Sequence, residues 1–151
     1  MAQVTVKGLS VIKNIQDQAT DIVNQELKEH FTGMANDAID MASYGVWSGA
    51  YVKSFSFKAG NSSSRGRRID GANWKFPEKT GSQADVEAGR NLLLGDINAA
   101  FANNDPLAVK SYTIRNDANH AVFVEYGVAG PRGPKPENGY RIFEQLRNKY
   151  G

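Results

Sequence analysis

The side chains able to do chemistry are few and far apart. The chain has two histidines, His30 and His120, no cysteine, and scattered carboxylates. An imidazole could serve as a general base. His30, however, sits beside Phe31 inside a long helical pattern, and His120 lies next to Asn119 and near Asp117 in turn-like sequence. Both read as structural positions. There is no His-x-x-x-His, Glu-x-x-His or paired-His spacing for a transition metal. A phosphate-cradling Gly-x-x-x-x-Gly-Lys-Ser/Thr loop is absent, and no serine occupies a nucleophile-elbow sequence. "GVAGPRG" (127–133) repeats glycine every third residue, but it is too short for collagen and lacks a dinucleotide loop's strand–helix context. The asparagine of "NSS" (61–63) fits a glycosylation acceptor, which means little without an export signal. The expectation is a protein that is not an enzyme, with no cofactor and no metal.

One charged cluster stands out. Arg65, Arg67, Arg68 and Lys75 lie close together with Trp74 among them. Such a group could track a nucleic-acid backbone while Trp74 stacks on a base. It could mate with an acidic surface on another subunit. It could also be a solvated loop. Three arginines without a second basic stretch leave these three readings open.

The elements that would carry these groups follow from periodicity. "QVTVK" (3–7) alternates and predicts a short strand, broken at Gly8. From Leu9 the apolar steps become three and four, through Ile12, Ile15, Ala19, Ile22, Val23, Leu27, Phe31, Met34, Ala35, Ala38, Ile39 and Ala42. That is one stripe on a helix running to about Tyr44, with Ser10 able to cap it and Gly33 a place for a bend. The outer face carries Asp17, Asp21, Glu26, Glu29, Asp37 and Asp40 against Lys13 and Lys28, and reads as an acidic solvated face. A turn spans 45–49, and "AYVKSFSFKA" (50–59) alternates as a strand. Residues 60–82 are Gly/Ser-rich and basic, and predict an exposed loop or arm. Residues 83–104 return to helix, with Val86, Leu93, Ile97 and Phe101 inward, Ser82 as cap and Asp85 in the first turn. Asp105-Pro106 ends it, and "LAVKSYTIRND" (107–117) predicts a strand. Residues 119–127 are too few for periodicity to separate a strand from a short helix capped by Asp117. A helical turn is preferred. A Gly/Pro loop follows, and 140–151 close with an amphipathic helix using Ile142, Phe143 and Leu146. The fold class expected is α+β: a long N-terminal helix and a second helix packed on a small, mostly antiparallel sheet, with a short C-terminal helix.

Bulk properties agree with one domain, 1–151, bearing the basic arm at 60–82. The chain is 40% hydrophobic and 23% charged, away from disorder, and its net charge of +2 does not by itself call for a polyanion partner. The start has no apolar leader, and no apolar run approaches the roughly 18 residues of a membrane span. The reading is a soluble protein with no membrane contact, staying in the cell where it is made.

Three motifs in order carry a resemblance. "VTVKGL" (4–9, with Gly8 and Leu9) precedes the long helix. "SGAYVKSFSF" (48–57) joins a hydroxyl residue and glycine, Ser48 and Gly49, to a basic residue and Ser54. "AVFVEYG" (121–127, with Phe123, Val124, Glu125, Tyr126 and Gly127) runs into the Gly/Pro loop. This order resembles the tail-component family of long-tailed bacteriophages, the neck or tail-completion proteins of the lambda minor tail protein Z type. The match covers the two ends well and the middle poorly. The chain has "VWSG" (46–49) where the family turn usually reads V-D-T-G, and its 60–105 segment is longer. The resemblance implies a structural virion protein located in the neck or tail and assembled in the host cytoplasm. It implies a ring, a cyclic homo-oligomer of six or twelve copies. The ring would dock on head-connector and tail-tube proteins and let genomic DNA pass without sequence-specific contact. Under this reading Arg65, Arg67, Arg68, Trp74, Pro131, Arg132 and Pro134 are subunit or partner contacts. Pro131, Pro134 and Pro136 stiffen the Gly/Pro loop (128–139) before it docks. A small nucleic-acid-binding domain using Arg65–Arg68 and Trp74 is the alternative.

Overall fold

A computed structural model describes residues 2–43, 49–60, 66–69, 81–127 and 139–151. Helix α1 spans Ala2–Ser43, about 63 Å at 1.5 Å per residue. A one-turn helix α2 (Ala50–Lys53) leads into strand β1 (Phe55–Ala59). Helix α3 covers Gln83–Asn103, strand β2 Tyr112–Asn116, helix α4 Ala121–Tyr126 and helix α5 Ile142–Tyr150. β1 and β2 pair antiparallel with Phe55 opposite Asn116, Phe57 opposite Ile114 and Ala59 opposite Tyr112. The fold is thus the expected α+β arrangement: helices packed around a two-stranded antiparallel sheet.

The core gathers the inner faces of these elements. Ala35, Ala38, Ile39 and Ala42 of α1 meet Val52, Phe55, Phe57, Val86, Leu93, Ile97, Phe101, Ile142 and Leu146. Phe31, Phe57, Phe101 and Tyr112 form an aromatic cluster with ring centroids 4.9–6.4 Å apart. Such pairs add to the area they bury. The small α1 residues let α3 approach closely, and Arg90 of α3 reaches Asn36 (2.7 Å) and Asp40 (2.6 Å).

Three sequence expectations are corrected. Residues 3–7 are helical, not a strand, and α1 runs through Gly8 and Ser10, so Ser10 is not its cap. A strand needs a ladder partner, and the sheet formed by the described residues consists of β1 and β2. A helix satisfies its backbone internally at a cost of about 1 kcal/mol for Gly8. The strand expected at 50–59 begins only at Phe55. Residues 50–53 form a helical turn that buries both Tyr51 and Val52, which alternation would have put on opposite faces. The strand expected at 107–117 starts at Tyr112, because Asp105 organises a turn by accepting from Leu107 (side chain, 3.0 Å) and Ala108 (backbone, 3.0 Å).

α3 and α5 fall where periodicity puts them. Residues 119–127 contain a short helix, although Asp117 does not cap it: its carboxylate accepts from the Gly66 amide and pairs with Arg115. Among the described residues no helix is long and apolar enough to cross a membrane.

Candidate subunit-contact site

Two of the three motifs meet at Glu125. This residue is buried, only 7% exposed. One carboxylate oxygen accepts from the Tyr51 hydroxyl (3.1 Å), the other from the backbone N–H of Phe143 (3.2 Å), and the Ile142 amide also contributes. Ile142 and Phe143 open α5, which has no side-chain cap from its own flank and is entered through Arg141 at φ 47°. Glu125 therefore caps α5 from another element, and its charge suits the helix's positive end. Burial pushes the Glu125 pKa upward, opposed by the Phe143 amide and the Tyr51 hydroxyl. Burial, then the Glu125 charge, push the Tyr51 phenol up as well.

The same region ties the two sides of the Gly/Pro stretch together. The Tyr140 amide donates to the Val124 carbonyl (2.7 Å) and the Arg141 amide to the Glu125 carbonyl (3.1 Å). Gly139 has φ 71°, and a β-carbon there would collide with the Glu125 carbonyl. Only glycine fits. Outside this base, Val122 and Tyr126 of α4 stand 65% and 68% exposed, one turn apart on one face.

The "SGAYVKSFSF" motif shapes the turn from α2 into β1. Gly49 has φ 76°, and an added β-carbon would sit 2.5 Å from the Asp85 carboxyl carbon. Asp85 accepts from Lys53 (2.8 Å) and from the Ser82 amide (3.0 Å) and hydroxyl (3.1 Å) at the start of α3. Lys53, foremost, holds the Asp85 carboxyl below the usual carboxylate range. The Ser54 hydroxyl donates to the Ala50 carbonyl (2.7 Å) and accepts from the Ile69 amide (3.2 Å).

Of the basic cluster, Arg67 and Arg68 are described. Arg67 donates to the Phe55 carbonyl (2.7 Å) and to Asp96 of α3 (2.7 Å), while Asp96 also accepts from the Phe57 amide (3.2 Å). The Ser54 carbonyl and Gly60 amide bond towards β2. Phe55 and Phe57, in the other phase, therefore present their polar groups on the free edge of β1. Arg67 and Asp96 occupy that edge as a partner strand would. Arg68 and Ile69 are exposed. Arg65, Trp74, Pro131, Arg132, Pro134, Pro136 and Ser48 lie outside the described residues, as do the expected turn at 45–48 and most of the two loops. Gly8 and Leu9 lie on α1, and Phe123, Val124 and Glu125 on α4, with Val124 packed on the core.

The acidic face of α1 divides in two. Asp37 is taken by Lys149 (2.6 Å) and Tyr150 (2.5 Å), which hold its carboxyl low, Lys149 foremost. Asp40 is taken by Arg90. Among the described residues, Asp17, Asp21 and Glu26 join no ion pair. Neither the edge-filling Arg67–Asp96 pair nor the capping role of Glu125 was visible in the sequence, since each joins residues from separate elements.

His30 lies edge-on to Phe31 and Tyr150, with ring centroids 5.4 and 5.3 Å away. His120 packs at 6.0 Å from the Tyr51 ring. No group of three or more His, Cys, Asp or Glu among the described residues is placed to hold a metal ion. No family model matches the sequence, and no match was found among curated proteins or solved structures.

Proposed function

We propose that the chain is a structural virion protein of a tailed bacteriophage. It forms a ring at the head–tail joint, as a neck, tail-completion or tail-terminator component, couples head connector to tail tube, and lets DNA pass. The observation that carries this reading is the ordered set of motifs, "VTVKGL", "SGAYVKSFSF" and "AVFVEYG". The union of the last two through Tyr51 and Glu125 supports it. The motif carboxylate serves as a helix cap, leaving Val122 and Tyr126 beside it on the surface. A role in assembly needs no catalytic group, cofactor or metal.

The test is absolute mass by light scattering on a sizing column, across protein and salt concentrations, followed by imaging of the assembled species. Six or twelve copies around a channel is the expected result. A chain that stays monomeric both alone and with connector and tube proteins overturns the reading. Reversing charge at Arg65 and Arg68 should abolish the ring if the basic arm is a subunit contact. Arg67 must be kept, because its reversal would set a carboxylate against Asp96 and damage the fold itself.

A further inference from the structure

Residues 66–69 lie against the outer face of the sheet. Phe55 and Phe57 turn their rings into the core, so alternation puts Ser56 and its ladder partner Arg115 on the other side. Gly66 lies against Ser56 there. An added β-carbon at Gly66 would sit 2.1 Å from Ser56 Oγ and 2.8 Å from a carboxylate oxygen of Asp117. The Gly66 amide donates to Asp117, and the Ile69 amide to Ser54 Oγ (3.2 Å). Between them Arg67 reaches round the edge of β1 to the Phe55 carbonyl and to Asp96 of α3.

These four residues are held by polar contacts. None of them belongs to the core cluster, Arg68 is exposed, and Ile69 is 42% exposed. The Arg67 and Asp96 side chains are each 23% exposed, so water reaches the pair and weakens it. One contact opposes closure. Ser56 is only 3% exposed, and its Oγ is buried without a hydrogen-bond partner among the described residues. A hydroxyl left unsatisfied in this way destabilises the state that buries it. Lifting Gly66 away lets water reach it. The charge-assisted bonds of Arg67 thus act against a trapped hydroxyl on the neighbouring strand.

We propose that residues 66–69 form a strap that opens and closes as a unit while the body stays folded. Closed, it commits Arg67 to Asp96 and covers the Phe55 carbonyl at the edge of β1. Open, it releases Arg67, uncovers that edge and hydrates Ser56. Glycine at 66 permits closure, because the gap over Ser56 and Asp117 admits no larger substituent than hydrogen. An anion that takes Arg67 displaces Asp96, so engagement of the basic arm through Arg67 and closure of the strap exclude one another. Such a partner draws the population towards the open state. The strap acts within one copy of the chain, and its test does not depend on assembly.

The test is native-state amide exchange on the full-length chain, read at single-amide resolution over a series of low denaturant concentrations. Protection at Gly66 and Ile69 should be at least about a hundredfold lower than at Leu93 and Ile97 of α3, and nearly independent of denaturant, because local opening exposes little surface. Protection equal to that of α3, with the same denaturant slope, overturns the proposal. So do unprotected amides at Gly66 and Ile69, since no closed state then exists. Two variants should move the equilibrium in opposite directions while Leu93 and Ile97 stay as in the wild type. Ser56→Ala removes the trapped hydroxyl and should slow exchange at Gly66 and Ile69 about tenfold. Gly66→Ala leaves no room for closure and should speed exchange at Ile69 about tenfold. Trypsin cleavage after Arg67 and Arg68 follows the open population and should change in the same directions. A Ser56→Ala chain that exchanges and is cut like the wild type, or faster, refutes the strap. Should Ser56→Ala disturb the α3 amides, Gly66→Ala decides alone, because residue 66 lies outside the core.

Discussion

Glu125 is a carboxylate that could be mistaken for a reactive group, being buried, perturbed and beside a tyrosine. Its geometry gives it another task. Removing it as Glu125→Ala leaves the Tyr51 hydroxyl and the first amides of α5 without their acceptor, and should cost about 2–4 kcal/mol, read as a lower urea midpoint. Glu125→Gln can turn its amide so that oxygen faces α5 and nitrogen faces Tyr51, and should keep most of that stability at neutral pH. The sign of the pH effect follows from burial. The folded-state pKa lies above the unfolded value, so native Glu125 prefers its proton. Its stabilising share is complete below the unfolded value of 4.5 and shrinks as pH rises through the folded value. Chemical denaturation from pH 4.5 to 7.5 should therefore show the wild type losing ground to Glu125→Gln as pH rises. A constant difference across that range would refute the assignment. Asp37 and Asp85 act in the opposite sense, with pKa values held low, and their contribution disappears as pH falls below the usual carboxylate range.

At the scale of elements, a two-stranded sheet is marginal unless its surroundings complete it. Here α3 does so, through side chains as well as packing. Arg67→Ala and Asp96→Ala each expose part of the β1 edge and should cost about 1–2 kcal/mol. Because the two residues act together, the double variant should cost clearly less than the sum, a coupling that denaturation of all four chains measures. Phe55 is fully buried, and Phe55→Ala should cost about 3–5 kcal/mol. These elements differed in how far the sequence revealed them. α3 and α5 were legible because three- and four-residue apolar steps and the Ser82–Asp85 start are local signals. The β-branched alternation at 3–7 misled, since alternation says nothing about whether a partner strand exists. The α2 turn was hidden because Tyr51 and Val52 are held by tertiary contacts, Tyr51 by Glu125 and Val52 against Gly89 of α3. The cap on α5 comes from 17 residues upstream of Ile142, across a Gly/Pro stretch, and no local pattern could announce it.

For the molecule as a whole, the long helix divides the chain into a packed body and an overhang. Amide exchange on the unassembled protein should separate them, with residues 12–23 exchanging at least about tenfold faster than residues 31–43. Equal protection in the unassembled chain would mean that the overhang is supported within one copy. Among the described residues Asp17, Asp21 and Glu26 of the overhang join no ion pair, whereas Arg141 at the start of α5 pairs with Glu144 (2.8 Å).

The pinned base of the Gly/Pro stretch carries a consequence for sequence change. Gly127 and Gly139 lie side by side, and the bonds from Tyr140 and Arg141 back to Val124 and Glu125 tie the two ends of the stretch together. Closing a loop costs free energy that grows only with the logarithm of its length, so doubling this one costs about 0.6 kcal/mol. Change in the length of this stretch should therefore be tolerated by the body that holds its two ends. A chain with a flexible insert between Gly127 and Gly139 should keep its melting temperature to within a few degrees of the wild type, which thermal denaturation of the two measures.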